Sequence, residues 1–84
     1  MTAPTIVKVV APARLDPLMD RVYRIVELSD GSECMERWDF GCCAWVTCPY
    51  DVRTYASGFI LSEVNARKLG IPPDGVAGTA SGGA

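Results

Sequence analysis

The sequence predicts an α+β fold: a small antiparallel sheet of three to four strands, one C-terminal helix and a flexible C-terminal tail. Three observations predict it. A β-branched run occupies residues 5–11. A Ser29-Asp30-Gly31-Ser32 turn separates two strand-like arms. Apolar residues at helical spacing lead up to Gly70 and Pro72-Pro73.

Thr5-Ile6-Val7-Lys8-Val9-Val10-Ala11 reads as the first strand, ended by Pro12. Residues 17–28 satisfy two patterns. Asp16-Pro17 resembles a helix N-cap with proline at the first helical position, and Leu15, Leu18, Met19, Val22, Ile25 and Val26 fit a helical stripe. Val22-Tyr23-Arg24-Ile25-Val26 is instead a β-favouring run that leads into the Asp30-Gly31 turn. The hairpin reading, with arms at 21–28 and 33–40, is preferred, and the helix remains the alternative. On the second arm Cys34, Glu36, Trp38 and Phe40 share one face.

Gly41 breaks that arm. Residues 42–48 form a continuous apolar stretch suited to a buried strand and stopped by Pro49. Val52, Tyr55, Ala56, Phe59, Ile60 and Val64 fall at helical spacing, but Gly58 interrupts them, so the predicted helix spans 59–69. Ser62 caps a shorter version of it, Arg67-Lys68 complement its C-terminal dipole and Gly70 stops it. Residues 1–70 thus read as one small domain. Residues 71–84, rich in Gly, Ala and Pro, read as a tail.

Composition narrows the function. The chain of 84 residues contains no histidine, which removes the commonest general base and zinc ligand and excludes a serine triad. At this size a deep, walled active site is not expected. No basic run exists, so direct nucleic-acid binding is not expected either. No apolar stretch reaches the length of a membrane span. Residues 6–11 are too short for a secretory h-region and contain Lys8, so a cytoplasmic, reducing location is expected, with the thiols mostly free.

Cys34, Cys42, Cys43 and Cys48 lie within 15 residues. Their intervals form no Cys-x-x-Cys knuckle, and adjacent cysteines on a strand point to opposite faces. They are the candidate ligands were a metal bound, but the expectation is small apolar residues and no metal. Cysteine catalysis lacks a base, and like charge from Glu33 and Glu36 disfavours a thiolate at Cys34. No catalytic residue and no cofactor are expected.

The net charge of −2 is uneven. Glu27, Asp30, Glu33, Glu36 and Asp39 stand against a single base, Arg37, within 13 residues. Six of the seven aromatic residues fall between 38 and 59. Trp45 and Phe59 are expected in the core. Trp38 is expected on an exposed edge strand among charges, as a contact with a partner. The candidate partner-binding residues are Glu33, Glu36, Trp38, Asp39, Tyr50 and Tyr55.

The function these features suggest is a small non-catalytic protein-binding module. It would be an inhibitor of a larger enzyme or complex, of the viral or mobile-element type, or a small subunit of an assembly such as a virus particle. Its protein partner would present a basic groove to the acidic segment, and a homo-oligomer is compatible with the sequence. A small cysteine-dependent metal-binding or thiol-redox protein is the alternative.

Overall fold

The computed structural model describes residues 4–72. The order of elements is β1 (Ile6–Asp16), β2 (Arg21–Leu28), β3 (Glu33–Asp39), β4 (Ala44–Cys48), α1 (Val52–Ala56), β5 (Phe59–Ile60) and α2 (Glu63–Leu69). The strands form one five-stranded sheet in the order β4-β3-β2-β1-β5, and every pairing is antiparallel. The sheet therefore has one strand more than the upper expectation, and two short helices replace one. The tail expected over 71–84 lies, except for its first two residues, outside the described residues. No helix among the described residues is long and apolar enough to cross a membrane.

β2 decides between the two patterns of residues 17–28. Val22 to Val26 are five consecutive buried residues, which requires that both faces of the strand be covered. On one face Val22 packs with Ala13, Trp38, Leu61, Ala66 and Ile71, under α2. On the other, Tyr23 and Ile25 pack with Met35 and with Tyr55 of α1. Asp16 does cap, but it caps a turn: its Oδ1 accepts from the backbone N–H of Leu18 at 3.0 Å and of Met19 at 3.3 Å. Asp20, at φ 57°, then reverses the chain into β2.

Pro12 does not end β1, because it falls in a bulge. Residues 11 to 14 of β1 span the same stretch as 25 to 23 of β2, so one residue is extra and the ladder asks no N–H of Pro12. β4 begins at Ala44 rather than at the expected Cys42. Residues 40–43 form the β3–β4 turn, with Cys43 at φ 53°.

The expected helix over 59–69 is shorter. Phe59 and Ile60 pair instead with Leu15 and Arg14 of β1, and Ser62 caps α2 by accepting from the N–H of Asn65 at 3.2 Å. Gly70 at φ 80° ends it. Ile71 N–H donates to the Ala66 carbonyl and Gly70 N–H to the Arg67 carbonyl, a Schellman arrangement. Ile71 and Ala66 then meet in the core, which reaches one residue past the expected domain boundary. α1 escaped the sequence reading. Asp51 caps it, accepting from the N–H groups of Arg53 and Thr54.

Gly58 is needed at the join between α1 and β5. A Cβ there would lie 2.6 Å from the Leu15 carbonyl oxygen, which belongs to the β1 backbone and cannot turn aside. Gly58→Ala is therefore expected to destabilise the fold by about 1–3 kcal/mol and to lower Tm by roughly 5–15 °C. Thermal unfolding followed by circular dichroism checks this, and an unchanged Tm would mean that β5 does not close onto β1.

Candidate functional site

The six predicted contact residues do not share a surface. Glu36 is buried on β3, directly opposite Arg24 of β2. Arg24 donates to Glu36 Oε1 from Nε at 2.9 Å and from Nη2 at 2.7 Å, and its guanidinium lies over the Trp45 ring at 4.3 Å. Trp38 is 3% exposed and stacks edge to face with Trp45, ring centroids 5.3 Å apart. β3 is an interior strand, between β2 and β4, so the expected exposed edge position of Trp38 is corrected. Tyr55 is also buried. Its hydroxyl donates to the Pro12 carbonyl, and the Arg14 guanidinium stands 5.2 Å from its ring. These three side chains hold the fold together and are not available to a partner.

Glu33, Asp39 and Tyr50 remain nearer the surface. Tyr50 hydroxyl donates to Glu33 at 3.4 Å. Glu33 stands opposite Glu27, which pairs with Lys8 at 3.7 Å. Asp39 is at the far end of β3, six residues on, about 20 Å away along an extended strand. The acidic segment is thus split between two ends of the sheet and a buried pair, rather than presented as one face.

The expected placement of Phe59 in the core is overturned, for it is 51% exposed. It belongs to a surface that sequence reasoning missed. The β1–β2 turn (residues 17–20) and the β3–β4 turn (residues 40–43) lie at the same end of the sheet, because alternate connections in an antiparallel sheet do. The strand order sets them about 10 Å apart, two strand spacings. β5 brings Phe59 to that end as well, opposite Leu15. Leu18 at 92% exposure, Met19, Phe40 and Phe59 therefore lie exposed at the same end of the sheet, spread across its width, with the exposed Cys42 and Cys43 beside Phe40.

Each turn is held by an aspartate at its start. Asp16 binds the amides of Leu18 and Met19. Asp39 Oδ1 accepts from the N–H groups of Gly41 at 2.7 Å and Cys42 at 3.2 Å. Those backbone bonds hold the Asp39 carboxyl below the usual aspartate range, with nearby Arg37 adding to the effect. An Asp followed two residues later by a turn amide is the available signal, but Leu18 and Met19 also fit the alternative helical stripe and Phe40 reads as a strand end.

The four thiols do not converge. Cys34 lies on the α2 face of the sheet with Glu36 and Trp38, and Cys48 on the α1 face beside Met35. Cys42 and Cys43 sit in the turn. Among the described residues no group of three or more His, Cys, Asp or Glu side chains is placed to hold a metal ion. Burial pushes the Cys34 and Cys48 thiols up. Glu36 adds to the rise at Cys34, and Arg37 opposes it at Cys48. Cys48 Sγ donates to the Met35 carbonyl at 3.5 Å.

A shallow depression of about 350 Å³ lies on the α1 face, between the sheet and the start of α1. Arg21 and Arg37 line it together with Asp51 and Cys48, so its charges are mixed. The Asp51 carboxylate is occupied in capping α1, where it also accepts from the Thr54 hydroxyl at 3.0 Å. The raised Cys48 thiol is protonated at neutral pH and is a poor nucleophile there.

Cys42 and Cys43 are exposed, whereas Cys34 and Cys48 are partly buried with raised thiols. In the native protein at neutral pH, Cys42 and Cys43 are expected to react with an aromatic disulfide reagent at least about tenfold faster than Cys34 and Cys48. Peptide mapping of partly labelled protein checks the order, and early labelling at Cys34 would contradict it. Among known proteins, no family model, no curated protein and no solved structure matches this chain.

Proposed function

We propose that the protein is a small non-catalytic protein-binding module that meets its partner through the apolar turn end of the sheet. One observation carries this reading: four large apolar side chains, Leu18, Met19, Phe40 and Phe59, are exposed at the same end of the sheet. Single exposed apolar residues are ordinary, whereas four at one end of so small a domain leave surface that association would cover. The turns that carry Leu18, Met19 and Phe40 are held by Asp16 and Asp39, so little ordering entropy opposes binding.

Either role read from the sequence, an inhibitor of a larger enzyme or complex or a small subunit of an assembly, can use such an end. The partner chemistry differs from the basic groove expected there, because Glu36 is already neutralised by Arg24. The matching surface is an apolar cleft, and binding through it depends only weakly on salt.

The test is affinity purification of the intact protein from its native source, followed by binding measurements with the partner found. Leu18→Asp and Phe40→Asp are expected to weaken binding at least about tenfold with unchanged circular dichroism. Glu33→Lys is expected to leave it unaltered. Loss on Glu33→Lys, with both apolar variants binding normally, would contradict the proposal and restore the acidic segment as the contact.

A further inference from the structure

β4 is the outermost strand of the sheet. Its residues Ala44-Trp45-Val46-Thr47-Cys48 pair with β3 in unbroken register. The opposite row of β4 backbone groups has no backbone partner among the described residues. Natural sheets blunt such an edge with lysine, proline, a bulge or a covering element. β4 contains no charge, no proline and no bulge.

β1, on the other side of the same sheet, shows the contrast. β5 covers it only at Arg14 and Leu15. The uncovered stretch carries Lys8, Pro12 and three register breaks, each of which discourages a further strand. Among the described residues, one edge of the sheet is guarded and the other is open.

We propose that β4 pairs antiparallel with β4 of a second copy of this chain, about a two-fold axis through Val46. The two sheets then become one continuous sheet. In this register Val46 meets its own copy, Trp45 meets Thr47, and Ala44 meets Cys48. Residues opposite one another share a face, so Trp45, half-buried against Trp38, gains cover from the Thr47 of the second copy.

A second copy is favoured over a foreign strand because the edge is self-complementary. A two-fold contact sets each residue against its own strand, where any charge would risk a like-charged neighbour. A strand of five uncharged residues has none to repel. The contact is smaller than a standard interface, so the dimer is weak and depends on concentration. The turn ends of the two copies point away from each other in this arrangement. The inference is therefore independent of the partner surface proposed above.

Two measurements on the full-length protein decide it. Sedimentation velocity from about 10 μM to about 1 mM should show monomer passing to dimer, and Thr47→Lys should weaken the dimer at least about tenfold. Thr47 is exposed on the monomer. Amide hydrogen exchange over the same range, on the unaltered protein, should slow at the outward N–H groups of β4 as concentration rises. This second readout holds even if the variant folds poorly.

A monomer throughout would overturn the proposal. So would a dimer that protects another segment. Protection of β4 that is equal at every concentration would overturn it too, as residues 73–84 pairing within one chain would give.

Discussion

A guanidinium and a carboxylate lie nine-tenths buried in the middle of this sheet, and the rest of the structure is arranged around them. Burying two charges is costly unless geometry and hydrogen bonds compensate. Here Arg24 makes two bonds to one Glu36 oxygen while the Trp45 ring covers its face. The pair also selects register. Arg24 and Glu36 are direct cross-strand neighbours, and a slip of one residue between β2 and β3 would put them on opposite faces of the sheet. Trp38 and Trp45 follow on the same face, and their edge-to-face contact continues the core under α2.

This pair also redirects the functional reading. The acidic segment owes its apparent concentration of charge to Glu33, Glu36 and Asp39 standing close in sequence. Folding turns Glu36 and Trp38 inward and separates Glu33 from Asp39 by the length of β3. Among the described residues, the exposed apolar side chains at the turns include Leu18, Met19 and Phe40. Asp39 takes part there not as a charge offered to a partner but as the anchor of the β3–β4 turn.

Much of the fold was legible where local chemistry decides it. Asp30-Gly31 marked the β2–β3 hairpin, and the arms predicted at 21–28 and 33–40 match β2 and β3 to within one residue. Gly70 marked the end of α2. The ambiguity of residues 17–28 has a physical source: a strand covered on both faces loses its two-residue alternation, and a continuous apolar run also fits a helix. Pro12 misled because a bulge excuses a proline from the ladder. α1 and β5 span five and two residues, too short for any periodicity to show.

The site was less legible than the fold, because it is assembled from distant segments. Leu18, Phe40 and Phe59 come to one end of the sheet through strand order, which no local pattern records. Likewise Trp38 and Tyr55 are covered by segments well away from them in sequence, Trp38 by Leu61, Ala66 and Ile71, and Tyr55 by Pro12 and Arg14. The Arg24–Glu36 pair holds the sheet, so Glu36 serves the fold rather than a partner. A double-mutant cycle on Arg24→Met and Glu36→Leu, with stability from urea unfolding, tests it most directly. Each single variant is expected to lose about 3 kcal/mol, and the double variant to lose no more than either single one, a coupling of about 3 kcal/mol or more. Single variants as stable as the parent, with coupling near zero, would contradict it.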